Sequence, residues 1–233
     1  MNNPRTIQTT TQAEYILKPL SYLVIILLAA ILLVTPKTGH SQTTASPQVH
    51  VEIIIFQSLA QRGWTEEYWP SPSGLVLSEQ AQRLGETTPW AKLVAAENLE
   101  LAEVRSRMTT DRGYDVLAHF AWQQPAFNRN NAQPIIIDSQ LQKRRHETSP
   151  IYGQVRAYQE RFNHVEIKVE LDRRIPANLR ERFAEHQGIE LAWLPESWKF
   201  VIDESRRVRP GELHYIDHPL FGVLIHVSRV SQP

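Results

Sequence analysis

The residues best suited to chemistry lie near the C-terminus, in the run Glu212 to His218 (ELHYIDH). His214, Asp217 and His218 crowd together there with Glu212, and His226 follows shortly after. Imidazoles and carboxylates at that density can bind zinc or shuttle protons. A metal-dependent hydrolase or amidase built on His214 and His218 with Asp217 or Glu212 is the catalytic version of that reading. The spacing argues against it. On a strand only alternate side chains share a face, so the two histidines align only if the segment stays extended, and Pro219 predicts a turn. The preferred reading is a pair in which Asp217 orients His218 and holds that turn together. No metal and no other cofactor is expected.

Just upstream, Ser205 to Arg209 (SRRVR) would place Arg207 and Arg209 on one face of a strand with Ser205, and Arg206 on the other. Paired guanidiniums bind carboxylates well, as on an acidic glycan or a peptide stem. Cross-strand pairing with Glu166, Glu170 or Glu204 is the structural alternative. Six tryptophans, Trp64, Trp69, Trp90, Trp122, Trp193 and Trp198, can fill a core or stack on sugar rings. Trp64 and Trp69 sit among polar residues and are the ones expected to be reachable. Other chemistry is missing: there is no G-x-S-x-G elbow, S-x-x-K, H-E-x-x-H, phosphate loop or dinucleotide glycine fingerprint. With no cysteine, thiolate nucleophiles, disulfides, thiolate zinc sites and iron–sulfur clusters are excluded.

The elements that must position these groups are mostly strands. Val49 to Phe56 (VHVEIIIF) has the β-branched density of a central strand buried on both faces. Trp64 to Gly74 (WTEEYWPSPSG) should lie folded against the surface. Thr88-Pro89 reads as a helix start, and the stripe Val94, Leu101, Val104, Met108 predicts one main helix ending before Gly113 and packed on the sheet. Tyr114 to Trp122 and Pro134 to Asp138 read as strands. Ile151 to Gln159 and Val165 to Leu171 form a hairpin around Arg161, Phe162 and Asn163, the second strand with one wet face. Pro176 to Gln187 is a second helix closed by Gly188. Trp198 to Arg209, Glu212 to Tyr215 and Gly222 to Val230 read as a three-stranded meander with a type II turn at Pro210-Gly211. The fold class is α+β: a mainly antiparallel β-sheet with two or three helices on one face, a single exported domain after an N-terminal apolar segment.

That segment, Leu20 to Val34, is uncharged and preceded by Arg5 and Lys18. At roughly 1.5 Å per residue it falls short of a hydrocarbon core of roughly 30 Å, which favours a signal-peptide core. No clean A-x-A site follows, so residues 1–34 are a signal peptide or an uncleaved N-terminal membrane anchor. Thr35 to Gln48 is a Thr/Ser/Pro-rich flexible linker, and residues 49–233 form one domain. Lys plus Arg is 25 and Asp plus Glu is 25; three of the basic and one of the acidic residues precede Val49, leaving the folded part near −2. That balance gives no basis for a nucleic-acid partner.

The stretches VEIIIF and EEYWP, the mid-chain YDVLAHFAWQQP and above all SRRVRPGELHYIDHPLFGVLIHVSRV resemble the CsiV family of peptidoglycan-binding cell-shape proteins, over about Val49 to Val230. The resemblance implies a periplasmic, non-enzymatic protein that binds the cell wall and supports a lipoprotein-activated bifunctional peptidoglycan synthase. It carries no ligand-contact residues with it. From the residues themselves, an exported near-neutral β-rich domain without a nucleophile reads as a binding module. The expected wall-binding surface is Arg206, Arg207, Arg209, Glu212, His214, Tyr215, Asp217 and His218, with Trp69 as an outlying aromatic. The rival is a pure protein adaptor of the synthase complex.

Overall fold

A computed structural model describes residues 47–70, 75–85, 88–138, 141 and 150–230. The apolar segment Leu20 to Val34 and nearly all of the linker lie outside the described residues. The compact unit that carries the strands runs from Ala45 to Pro233. In chain order its elements are β1 (Gln48–Ser58), β2 (Gln82–Arg83), β3 (Lys92–Leu93), α1 (Ala102–Ser106), β4 (Tyr114–Pro125), β5 (Ile135–Ile137), β6 (Ile151–Gln159), β7 (Asn163–Arg174), α2 (Arg180–Gln187), β8 (Ser197–Val208), β9 (Leu213–Asp217) and β10 (Phe221–Arg229). The class is α+β with mainly antiparallel pairing, as the alternation patterns predict. Among the described residues no helix is long and apolar enough to cross a membrane.

The strands divide between two five-stranded sheets rather than one. The first has the order β3-β4-β1-β10-β9, the second β2-β5-β6-β7-β8. β1 lies at the centre of the first sheet, antiparallel to β4 and β10, and is buried on both faces along nearly its whole length. Val51, Ile53 and Ile55 of β1 meet Val165, Ile167 and Val169 of β7 in a common core between the sheets. Polar groups cross it too. Arg173 of β7 donates to the carbonyls of Ser58 (2.8 Å) and Leu220 (3.4 Å), and Gln124 of β4 donates to Ala157 O (3.0 Å).

The β6–β7 hairpin forms as expected, with Gln159 opposite Asn163 at its tip. So does the second helix. A 3₁₀ turn at Ala177–Leu179 leads into α2, and Gly188 closes it in the left-handed region (φ 65°). Its Phe183 packs edge-on against Trp64 (5.4 Å) and Trp198 (5.3 Å).

Two expectations are corrected. The single helix from Thr88 to Met108 does not form. Thr88 Oγ1 accepts the Gly85 amide and donates to Arg83 O, so it closes a turn instead of capping a helix. β3 then pairs with β4, and helix appears only at α1. The stripe still packs, since Leu101, Val104 and Met108 cover Ile54, Phe56 and Val116 on the outer face of the first sheet. The two helices therefore serve different layers. The meander also splits: β9 and β10 pair, but β8 joins β7 in the second sheet. The Arg209–Glu212 turn has the type II form, with Gly211 at φ 80° and Glu212 N donating to Arg209 O (3.2 Å). It carries the chain from one sheet to the other, and Gly211 N donates to Val227 O of β10 (2.8 Å).

Candidate functional site

The outer face of the first sheet carries a groove of roughly 350 Å³ lined by Phe56, Val104, Arg107, Met108, Tyr114, Tyr215 and Leu224. Five elements contribute. Phe56 of β1 is its floor, Tyr114 begins β4, Tyr215 and Leu224 face each other across β9 and β10, and α1 with the residues after it supplies the far wall. The rings are ordered against one another. Tyr215 stacks on Phe56 (6.0 Å, 21°) and Tyr114 meets Phe56 edge-on (5.5 Å, 83°). Phe56 is buried, whereas Tyr114 is 40% and Tyr215 46% exposed, so two aromatic faces are open to a ligand.

A β-bulge and a glycine build this floor. Ile55 pairs with Ala118 but Phe56 pairs with Val116, so Leu117 is an extra residue in β4. Upstream of the bulge it is the even-numbered side chains of β4, Tyr114 and Val116, that face outward; downstream it is the odd ones, including His119. At Gly222 a Cβ would sit 2.6 Å from the Tyr215 ring and 2.8 Å from that of Phe56. Only glycine lets the two rings settle there.

The far wall has no strand of its own and is held by a buried carboxylate. Glu52 of β1 is fully buried. Its Oε1 lies 2.6 Å from His119 Nε2 and accepts the Leu101 amide (2.9 Å); its Oε2 lies 3.1 Å from His50 Nε2 and accepts the Glu100 amide (2.7 Å). Burial alone would raise its pKa, but the hydrogen bonds from His119, His50, Leu101 and Glu100 outweigh that and hold it at about 2. Glu100 is fixed in turn by Ser228 Oγ, which donates to its Oε1 (2.9 Å), and its Oε2 lies 3.1 Å from His226 Nδ1. Two of the four contacts to Glu52, the amides of Glu100 and Leu101, thus tie the start of α1 to the sheet, while His119 and His50 anchor the carboxylate within it.

The polar rim is mixed. Arg107 pairs with Glu103 one turn earlier, both well exposed. Tyr215 donates to Asp217 Oδ1 (2.5 Å), and burial together with that carboxylate holds its phenol above the ordinary range.

The sequence-predicted residues come only partly together. Tyr215 and Asp217 are at the groove. His214 instead accepts the Arg209 amide at Nε2 (2.9 Å) and closes the turn between the sheets. β9 ends at Asp217, so His214 and His218 do not share an extended strand. Among the described residues no group of three or more His, Asp or Glu is arranged to hold a metal ion. Asp217 hydrogen-bonds Tyr215, and it is the Leu220 amide that fixes His218, donating to Nδ1 (3.2 Å). The three arginines go to three partners: Arg206 to Glu204 (3.0 Å), Arg207 over the Phe162 ring, and Arg209 to Glu212 (3.5 Å). The strand stops at Val208, so the alternation that would align Arg209 with Arg207 does not continue.

Trp69 is corrected outright. It is only 7% exposed, stacks on His218 (4.8 Å) and donates to Trp64 O, while Trp64 is wholly buried. The exposed tryptophan is Trp193, at 78%, beside Leu191 on a loop whose carbonyls at Leu194 and Pro195 are held by Arg180. Of the groove residues, Phe56, Val104, Arg107, Met108, Tyr114 and Leu224 escape the sequence reading. The available signal was Glu52 beside His50 inside an otherwise apolar strand, which has to be buried and partnered.

A family model described as "Peptidoglycan-binding protein, CsiV" matches residues 22–230, nearly the whole chain. No curated protein and no solved structure matches it.

Proposed function

Because the chain belongs to the CsiV family of peptidoglycan-binding proteins, we propose that it binds peptidoglycan in the groove between α1 and the outer face of the first sheet. The observation that carries this reading is the pair of exposed ring faces, Tyr114 and Tyr215, set on the buried Phe56. An N-acetylated sugar presents an apolar face that stacks on such rings. Its lactyl or stem-peptide carboxylate suits the Arg107 guanidinium, which exchanges its exposed partner Glu103 for the ligand. The Asp217 carboxylate accepts from sugar hydroxyls. Nothing in this arrangement is asked to break a bond, so the protein acts without catalysis. It works in the periplasm, where it supports cell-wall synthesis and cell shape through a lipoprotein-activated peptidoglycan synthase.

The test is sedimentation with purified, protein-free sacculi over a range of protein concentrations. Saturable pelleting is expected. Each stacked ring is worth about 1 kcal/mol, so Tyr114→Ala and Tyr215→Ala should each weaken binding by about fivefold, with the circular dichroism spectrum unchanged. The double variant Arg207→Ala/Arg209→Ala asks whether the arginine-rich turn adds to binding; unchanged binding would confine the site to the groove. Wild-type protein that stays folded in the supernatant would overturn direct binding. An adaptor role would then lead, and the exposed Trp193 and Leu191 favour that second reading.

A further inference from the structure

The second sheet ends in a long strand to which no further strand is paired among the described residues. β8 runs for twelve residues, pairs with β7 on one side, and has no strand on its other side among the described residues. Such an edge offers a row of backbone donors and acceptors to another chain. Charges often guard an edge against this, but the charges here have an order that guarding does not need. Asp203-Glu204-Ser205-Arg206-Arg207 reads acidic, acidic, neutral, basic, basic.

Turned antiparallel on itself about Ser205, this run meets its own complement. Asp203 of one copy faces Arg207 of the other on one face of the sheet, and Glu204 faces Arg206 on the opposite face. Ile202 then faces Val208, apolar against apolar. Each pair occurs twice, as a two-fold axis requires. Within one copy the four charged side chains are exposed or half-buried and only loosely engaged, whereas Ile202 and Val208 are already buried in the core. Glu204 pairs with Arg206 two residues on (3.0 Å), Asp203 with Lys168 (2.9 Å), and Arg207 rests on Phe162. Such surface contacts exchange readily for cross-strand partners.

We propose that β8 is a self-association edge, through which two copies of this chain pair antiparallel about Ser205 and join their second sheets into one of ten strands. The occupant is a second copy because the charge order inverts about one residue. The interface stands apart from the groove, so neither proposal depends on the other.

The chain has no cysteine, which makes the geometry directly testable. Directly opposed residues in an antiparallel pair have Cα atoms roughly 4.5–5.5 Å apart, within disulfide range. Full-length Ser205→Cys in mild detergent should therefore oxidise to a covalent dimer. Asp203→Cys, which faces position 207 and not itself, should not. In analytical ultracentrifugation the wild type should show a monomer–dimer equilibrium that stops at two copies and weakens with salt. Arg206→Glu/Arg207→Glu and Asp203→Arg/Glu204→Arg should each weaken dimerisation at least tenfold. Mixing the two variants, or combining all four substitutions in one chain, should restore it. Restoration also shows that loss in the double variants is not misfolding. A monomer at every concentration, assembly beyond two copies, equal cross-linking at 203 and 205, or failure of the fourfold exchange to restore pairing would each overturn the proposal.

Discussion

His218 should make this fold lose stability in mild acid, by an amount that can be worked out from its surroundings. The ring lies between Trp69 (4.8 Å) and Phe221 (4.7 Å), with Phe200 at 5.9 Å, and its Nδ1 accepts the Leu220 amide. Burial among these rings drives its pKa down from 6.5 to about 4, against the pull of the Asp217 charge. The unfolded chain takes up a proton below about 6.5 and the folded chain only below about 4, so acid favours unfolding between those values. The stabilisation is complete above the upper value and is lost as pH falls toward the lower one. One proton taken up only by the unfolded chain is worth about 1.4 kcal/mol for each pH unit, so the loss from pH 7 to pH 5 amounts to about 2 kcal/mol. Glu52 does not confuse the measurement, since its contribution changes only below its ordinary 4.5. The assay is urea unfolding followed by tryptophan fluorescence at both pH values, for wild type and His218→Asn. Asparagine keeps an acceptor near Nδ1 for the Leu220 amide but cannot titrate. It should be the less stable protein at pH 7, for want of the ring contacts, with a much smaller loss on going to pH 5. Parallel losses in the two proteins would refute the burial argument.

Two further predictions concern the walls of the groove. Glu52→Gln leaves the two histidines and the Glu100 and Leu101 amides without their shared carboxylate, and should cost about 3 kcal/mol in urea unfolding. Hydrogen exchange at those two amides should rise in the same variant; retained protection would mean that packing alone holds the wall. Gly222→Ala puts a methyl into the space shared by Tyr215 and Phe56. It should cost about 1–3 kcal/mol and weaken sacculus binding more than an overpacking change elsewhere in the sheet, as comparison of unfolding and sedimentation curves would show.

The sequence was most informative where one local rule decides the structure. Val165 to Leu171 alternates cleanly because one face of β7 is wet, and Pro210-Gly211 forms its type II turn because only glycine sits comfortably at φ 80°. Where a distant partner decides, local rules misled. Val94 to Met108 carries a helical stripe, yet the edge of β4 captures Lys92–Leu93 and the Glu52 carboxylate takes the amides at 100 and 101, so helix starts only at Ala102. Trp64 and Trp69 look reachable among polar neighbours, but Phe183 from α2 and Phe200 from β8 close over them. Nothing within residues 197–215 reveals that β8 belongs to a different sheet from β9; that follows from β7, which pairs with β8 along its whole length, and from β10, which takes the shorter β9 over residues 222–226.

The bulge at Leu117 is the feature that makes one face serve two purposes. In an unbroken strand, His119 and Tyr114 have opposite parity and must point to opposite faces. The extra residue resets that parity, so His119 can reach Glu52 while Tyr114 lines the groove a short way along the same face. Leu117 and Ala118, at the reset, both remain in the central core, which keeps the bulge from costing buried area. The buried carboxylate and the aromatic floor are therefore linked through backbone geometry as well as through α1. Glu52 holds the wall that supplies Val104, Arg107 and Met108, and the same strand pairing that brings His119 to Glu52 fixes where Tyr114 meets Phe56. On the proposed reading, a ligand seated on the rings would rest on a floor and a wall whose relative position is set by a single charged residue in β1, a strand buried along nearly its whole length. That linkage gives a physical reason for a carboxylate at position 52, between Val51 and Ile53 in a strand where burial alone would favour another isoleucine.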